Sequence, residues 1–132
     1  MVTIYTTSFY NVRYLPTDVV PISICGKAPD NWIGLEFKKL APKWWFFVRW
    51  KDTHDNDFYI QHYNKEVLEK LDAYEIVNEL TCLAKSDKIA LVCYEKPAEF
   101  CHRHLVAKWI ADNTGVASEE FIPNNSIKLW DN

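Results

Sequence analysis

The chain has 132 residues, 48% of them hydrophobic and 25% charged, which is the mix of one ordinary globular domain able to bury a core without staples. The net charge of −3 excludes a whole-molecule polyelectrolyte grip on nucleic acid, and the absence of an 18-residue apolar run excludes a membrane-spanning helix. Aromatic residues reach 15%, with six Trp, more than a core of this size needs, so an aromatic-lined surface or pocket is expected.

Val2–Thr6 alternates as a strand does and runs into the polar cluster Thr6, Thr7 and Ser8. Val19–Cys25 is a second β-rich run with Pro21 near its start, followed by a loop through Pro29. Asp30 is a good N-cap, so a helix is expected to about Leu40, with Trp32, Leu35 and Leu40 inward and Pro42 ending it. Trp44–Trp50 is too apolar to be expected in solvent, and its pattern fits strand and helix alike. The lysines and arginine around it (Lys38, Lys39, Lys43, Arg49 and Lys51) read as a solvated charged face.

After a polar turn at Thr53–Asp57, helical spacing of Val67, Leu68, Leu71, Ile76, Val77, Leu80 and Leu83 predicts a helix over Lys65–Ala84, with a candidate break near Asp72. Cys82 is expected to be buried on it. Ile89–Tyr94 is a continuous apolar run, the mark of a strand buried on both faces, and Glu95-Lys96-Pro97 ends it. A helix follows from Glu99 to Asn113, closed by Gly115. Val116–Ile122 suits an edge strand, and 123–132 is expected to be a loose tail.

Strands alternating with helices predict a single α/β domain over 1–132: three layers, with a mostly parallel sheet flanked by helices. The N-terminus lacks the features of a signal peptide, so a cytoplasmic protein with four reduced Cys is expected. In such folds the site lies beyond the carboxyl ends of the strands, which draws attention to the residues after Tyr94 and after Tyr5.

The segment Cys93-Tyr94-Glu95-Lys96-Pro97-Ala98-Glu99-Phe100-Cys101-His102-Arg103 carries the densest chemistry. Cys93 and Glu95 arrive on the strand; Cys101, His102 and Arg103 open the helix. The stripe Leu105, Val106, Trp109 and Ile110 puts Cys101 and His102 inward and His104 outward. A helix N-terminus favours a thiolate or a bound phosphate, to which Arg103 could add a forked contact. Cys101 or Cys93 would be the nucleophile, and His102 or Glu95 would move protons. Each residue also has a purely structural use: Cys93 as an inert buried thiol, His102 bonded to a backbone carbonyl, and Arg103 and Glu95 as a salt bridge.

Cys93, Cys101 and His102 match no common zinc spacing, so no metal is expected, and with only Gly26, Gly34 and Gly115 there is no glycine-rich phosphate loop and no cofactor is called for. The pocket is expected to include Glu95, Cys101 and His102, with Thr7 or Ser8 on its wall.

Cys93-Tyr94-Glu95-Lys96 followed by Cys101-His102-Arg103 and Leu105 resembles the signature of the domain-of-unknown-function family numbered 488, a strand ending in Cys-x-Glu and then Cys-His-Arg opening a helix. Ile4–Ser8 and Tyr59–Leu71 extend the likeness over most of the chain. The resemblance implies a small α/β protein of bacteria and their phages, without implying a particular activity. Many members follow the second strand with Asp-x-Arg; here Ile22–Lys27 has no Asp and offers Lys27 as the basic group, the pattern of a divergent, phage-like branch.

Two functional readings follow. One is an enzyme acting on a nucleotide or a nucleic-acid-derived small molecule through Cys93, Glu95, Cys101 and His102, with Arg103 on a phosphate. The other is a non-catalytic module that sequesters a nucleotide or blocks a host protein through its exposed aromatics. Composition fixes neither a nucleic-acid or protein partner nor an oligomeric state.

Overall fold

The computed structural model describes residues 1–96 and 99–123. Five strands form one sheet: β1 (Thr3–Ser8), β2 (Val20–Ser23), β3 (Leu35–Glu36), β4 (Lys88–Cys93) and β5 (Ser118–Glu120). Their order is β3-β2-β4-β1-β5, and every pairing is parallel. The α/β class and the parallel sheet expected from the alternation are therefore present, and the run from Ile89 is the central strand. Ile89, Ala90, Leu91, Val92 and Cys93 are all fully buried, because β4 has a strand on each side and cover on both faces.

Four helices pack on the sheet: α1 (Trp44–Thr53), α2 (Asn56–Glu66), α3 (Ala73–Ala84) and α4 (His102–Thr114). The pleat decides which strand residues they cover. Ile4, Ile22, Ile89, Leu91 and Cys93 share one face and join the main core with Ile76 and Leu80 of α3 and Val106 and Ile110 of α4. The opposite face, with Thr7, Ala90 and Val92, is also buried, and the 3₁₀ turn Phe9–Tyr14 lies against β1 and β4.

Local chemistry explains the helix boundaries. Asp55 and Asp72 cap α2 and α3, their carboxylates accepting from the N–H groups of Phe58 and Glu75. Gly115 ends α4 at φ 77°, a conformation that favours glycine.

Three sequence expectations are corrected. No helix spans Asp30–Leu40. Leu35–Glu36 instead extends the sheet beside Ile22–Ser23, and only Lys38–Leu40 turns, as a 3₁₀ helix. Edge pairing wins there because Gly34 weakens a helix and the Trp32 indole bonds the Leu35 carbonyl at 3.1 Å. The helical stretch does not start at Lys65: α2 already starts at Asn56 and ends at Glu66, and after the break expected near Asp72, which runs over Val67–Asp72, α3 begins anew. Trp44–Trp50 is helical and not buried throughout: only Phe46 is in the core, while Trp44 is 77% exposed.

Leu91→Ala removes a fully buried side chain from the central strand and is expected to cost about 3 kcal/mol. Ile33→Ala, at a side chain almost wholly in solvent, should stay within about 0.5 kcal/mol. Urea unfolding of the two variants beside the parent checks the pair, and comparable losses would refute this core.

Candidate functional site

The connections after β2 and β4 run in opposite directions along the sheet, β2 to its outer neighbour β3 and β4 past β1 to β5. A crevice forms where neighbouring strands part in this way, at their carboxyl ends. Cys25 lies just past the end of β2, Cys93 ends β4, and the start of α4 drops Cys101 and His102 between them.

His102 is buried, and its Nε2 lies 2.8 Å from the Ile24 carbonyl oxygen. A carbonyl can only accept, so Nε2 carries the proton and donates. Nδ1 is left facing sulfur: Cys93 Sγ at 3.6 Å and Cys101 Sγ at 4.0 Å. Cys25 Sγ, Cys93 Sγ and a ring nitrogen of His102 all lie within 4.8 Å of one another. From behind, the Tyr63 ring meets His102 edge-on, fixed by its hydroxyl donating to the Leu40 carbonyl at 2.6 Å.

Burial disfavours the Cys101 thiolate, but donors from Cys93 and His102 and the positive charges of His102 and Arg103 outweigh it and hold this thiol well below its ordinary range. Burial likewise disfavours the His102 imidazolium, and the neighbouring Cys101 thiolate more than offsets that, so its pKa rises. Burial pushes the Cys93 thiol up. The result is a thiolate–imidazolium pair with the charge on the sulfur nearer the surface. Burial and then the Cys101 charge raise Glu95 to about 7, where it can both give and take a proton near neutrality.

A cavity of about 560 Å³ opens onto this cluster. Its floor includes Cys25, Glu95, Cys101 and His102; its walls are aromatic, from Trp44, Phe47, Trp50, Tyr59, Tyr94 and Phe100; Lys27 and Lys51 also line it. The sequence placed Glu95, Cys101 and His102 together, and they share this cavity. Thr7 and Ser8 are not on its wall, because β1 lies on the far side of β4 and Thr7 Oγ1 donates to the Phe121 carbonyl. Cys93 sits behind the floor with no exposure. Cys25 joins the cluster without having been singled out. Its signal was its place at the end of the strand beside β4.

Arg103 corrects the expectation of a phosphate contact. One residue on from His102, it points the other way and is wholly buried, with Nε at 3.1 Å and Nη2 at 2.8 Å from the Glu120 carboxylate of β5. Thr6 Oγ1, at 2.6 Å, and His104 also reach Glu120. The fork is thus used on a carboxylate of the chain itself. Cys82 is a second correction: it is exposed, because it falls on the solvent side of α3.

Burial works to raise the Glu120 pKa, but hydrogen bonds from His104, Arg103 and Thr6 hold it at about 2, below its ordinary 4.5. The folded state therefore binds this proton less readily than the unfolded chain. The stabilisation is complete above about pH 4.5 and is lost as the pH falls toward 2. Glu120→Gln is expected to cost about 3 kcal/mol at neutral pH, at the low end for a broken buried pair because Glu120 keeps 19% of its surface. Urea unfolding at several pH values should show that cost shrinking between pH 4.5 and 2; a cost constant with pH would refute the assignment.

No curated protein and no solved structure matches the chain. The family model DUF488-N3a, described as the active DUF488-N3 subclade, matches residues 6–114, from within β1 to the end of α4, so the span includes every residue of the crevice cluster. The chain belongs to the DUF488 family, in its N3a subclade.

Proposed function

We propose that the crevice is the active site of a thiol-dependent enzyme acting on a nucleotide or a nucleic-acid-derived small molecule, with Cys101 as nucleophile. The observation that carries this reading is the order of groups on the cavity floor. The one thiol that both lines the cavity and faces His102 Nδ1 is backed by an imidazole whose other nitrogen is fixed by the Ile24 carbonyl. Thiolate nucleophile, charge-balancing imidazolium and orienting carbonyl stand in the relation such catalysis requires. The matched subclade is described as active, which agrees with it.

In the reaction this arrangement suits, Cys101 Sγ bonds to an electron-poor carbon as that carbon's bond to its leaving group breaks. Glu95, partly protonated near neutrality, gives its proton to the leaving group. A water molecule then gives a proton back to Glu95, bonds to the same carbon and releases the thiolate. His102 keeps its proton throughout and holds the charge of the sulfur. The aromatic walls favour a planar ring, for which stacking on one aromatic side chain contributes about 1–3 kcal/mol. With Arg103 committed to Glu120, a phosphate on that ring would be met by Lys27 and Lys51.

Two measurements test the reading. Brief labelling with iodoacetamide and mass spectrometry should show Cys101 alkylated at a rate nearly independent of pH between 6 and 8, because it is already ionised there. Incubation with free bases, nucleosides and nucleoside mono- and diphosphates, followed by liquid chromatography, should find a substrate whose turnover falls at least about 100-fold in Cys101→Ser while its binding persists. A compound that stabilises the protein and is never turned over would favour the non-catalytic binding module. Absent labelling of Cys101 would remove the nucleophile altogether.

A further inference from the structure

Beyond catalysis, we infer that the cluster beneath the cavity is a binding site for a thiophilic divalent cation of the zinc type, held by Cys25 Sγ, Cys93 Sγ and His102 Nδ1, and that occupancy switches the Cys101 nucleophile off. The second half of this inference rests on the reading of Cys101 given above; the first half does not.

The donor geometry supports it first. In a tetrahedral site with Zn–S about 2.3 Å and Zn–N about 2.0–2.1 Å, a sulfur and a nitrogen ligand are roughly 3.6 Å apart and two sulfurs roughly 3.8 Å. Here Cys93 Sγ is 3.6 Å from Nδ1, and Cys25 Sγ, Cys93 Sγ and a ring nitrogen of His102 fall within 4.8 Å of one another. Contraction on the order of one ångström closes a set at that spacing.

The support around the ligands is the second argument. A metal-binding imidazole commonly donates its remote N–H to a carbonyl or carboxylate, which fixes the ring and leaves the near nitrogen as ligand. His102 meets that condition through Ile24. The three ligands come from three elements, the ends of β2 and β4 and the first turn of α4, each held by the sheet or by the core, so the set is preorganised. Two sulfurs and an imidazole select a soft or borderline cation over magnesium or calcium. Among the described residues, no other group of three such donors converges.

Occupancy has a direct chemical consequence. Nδ1, once bonded to the cation, no longer carries the proton that faces the Cys101 sulfur. Cys101, 4.0 Å from that nitrogen, is the nearest further thiol and becomes the fourth ligand. Its sulfur lone pair is then on the metal and not available to a substrate. Cys101 binds as the thiolate it already is, the Nδ1 proton of the His102 imidazolium and any proton on the Cys25 and Cys93 thiols pass to solvent, and the protein and cation undergo no redox change.

The test uses the full chain, reduced and freed of metal, carrying Cys82→Ser so that the exposed thiol does not contribute. Titration with Co²⁺ should reach an end point at one equivalent, with a near-ultraviolet thiolate-to-cobalt band that one equivalent of Zn²⁺ removes. Cys25→Ser, checked for an unchanged thermal transition, should weaken binding at least about 10-fold, and His102→Asn should do the same where it folds. Cys101 alkylation should fall at least 10-fold in the Zn²⁺-loaded protein and recover on adding a chelator. Absence of a stoichiometric band, or full affinity in folded Cys25→Ser, overturns the site. Unchanged Cys101 alkylation with zinc bound overturns the switch. Alkylation of the metal-free protein reports on Cys101 as nucleophile independently of either result.

Discussion

The hydrogen bond from His102 Nε2 to the Ile24 carbonyl is the contact on which the rest of the site depends. It uses the one ring nitrogen that would otherwise face the sheet, and so decides that Nδ1 faces sulfur. It also ties the first turn of α4 to the end of β2, across the crevice that the strand connections open. A helix turn rotates about 100° per residue, so the next side chain, Arg103, leaves in a different direction and grips Glu120 on β5. Two consecutive residues thereby anchor one helix start to opposite sides of the sheet. Removing either anchor would free the helix start to rotate, and with it the thiol that its first turn presents.

The cluster is costly to bury and is arranged to limit that cost. Three thiols and an imidazole lie together at the base of the cavity with almost no solvent. Several charges of one sign could not share such a space. The directions of the shifts show how the conflict is resolved: Cys93, at the back and fully covered, stays protonated, while Cys101 carries the negative charge beside the imidazolium. Arg103 adds a positive charge behind Cys101, and Glu120 neutralises most of it. One nitrogen of Arg103, Nη1, is buried with no hydrogen-bond partner among the described residues. The pair therefore fixes geometry at some expense in solvation, which fits a residue retained for positioning and not for stability alone.

Much of this was legible in the sequence because it depends on local pattern. The apolar run from Ile89 to Cys93 announced a central strand, and the phase of Leu105, Val106, Trp109 and Ile110 aimed Cys101 and His102 inward. Where pattern failed, tertiary contact had overridden it. Asp30–Leu40 has helical spacing, yet two of its residues gain more by pairing with β2. Asn56 and Asp57, which open α2, are polar enough to pass for a turn, and the helix they start turns Tyr59 and Tyr63, one turn apart and stacked, inward. Trp44–Trp50 was too apolar to place in solvent by composition alone; its outer face borders the cavity, where apolar surface has a use.

Cys25 was beyond motif reasoning for a different reason. It is 68 residues from Cys93 and 77 from His102 in sequence, and no spacing rule connects them. What connects them is topology. The parallel register sets Ser23 opposite Val92, so the residues just past each strand end fall on the same rim. Connections that part there leave a gap, and the helix following β4 starts inside it. In this fold that strand order brings together the second residue after β2, the last residue of β4 and the start of α4. The family signature records the last two because they are close in the chain. The first is supplied by the fold, and the chemistry available at the site is set by all three together.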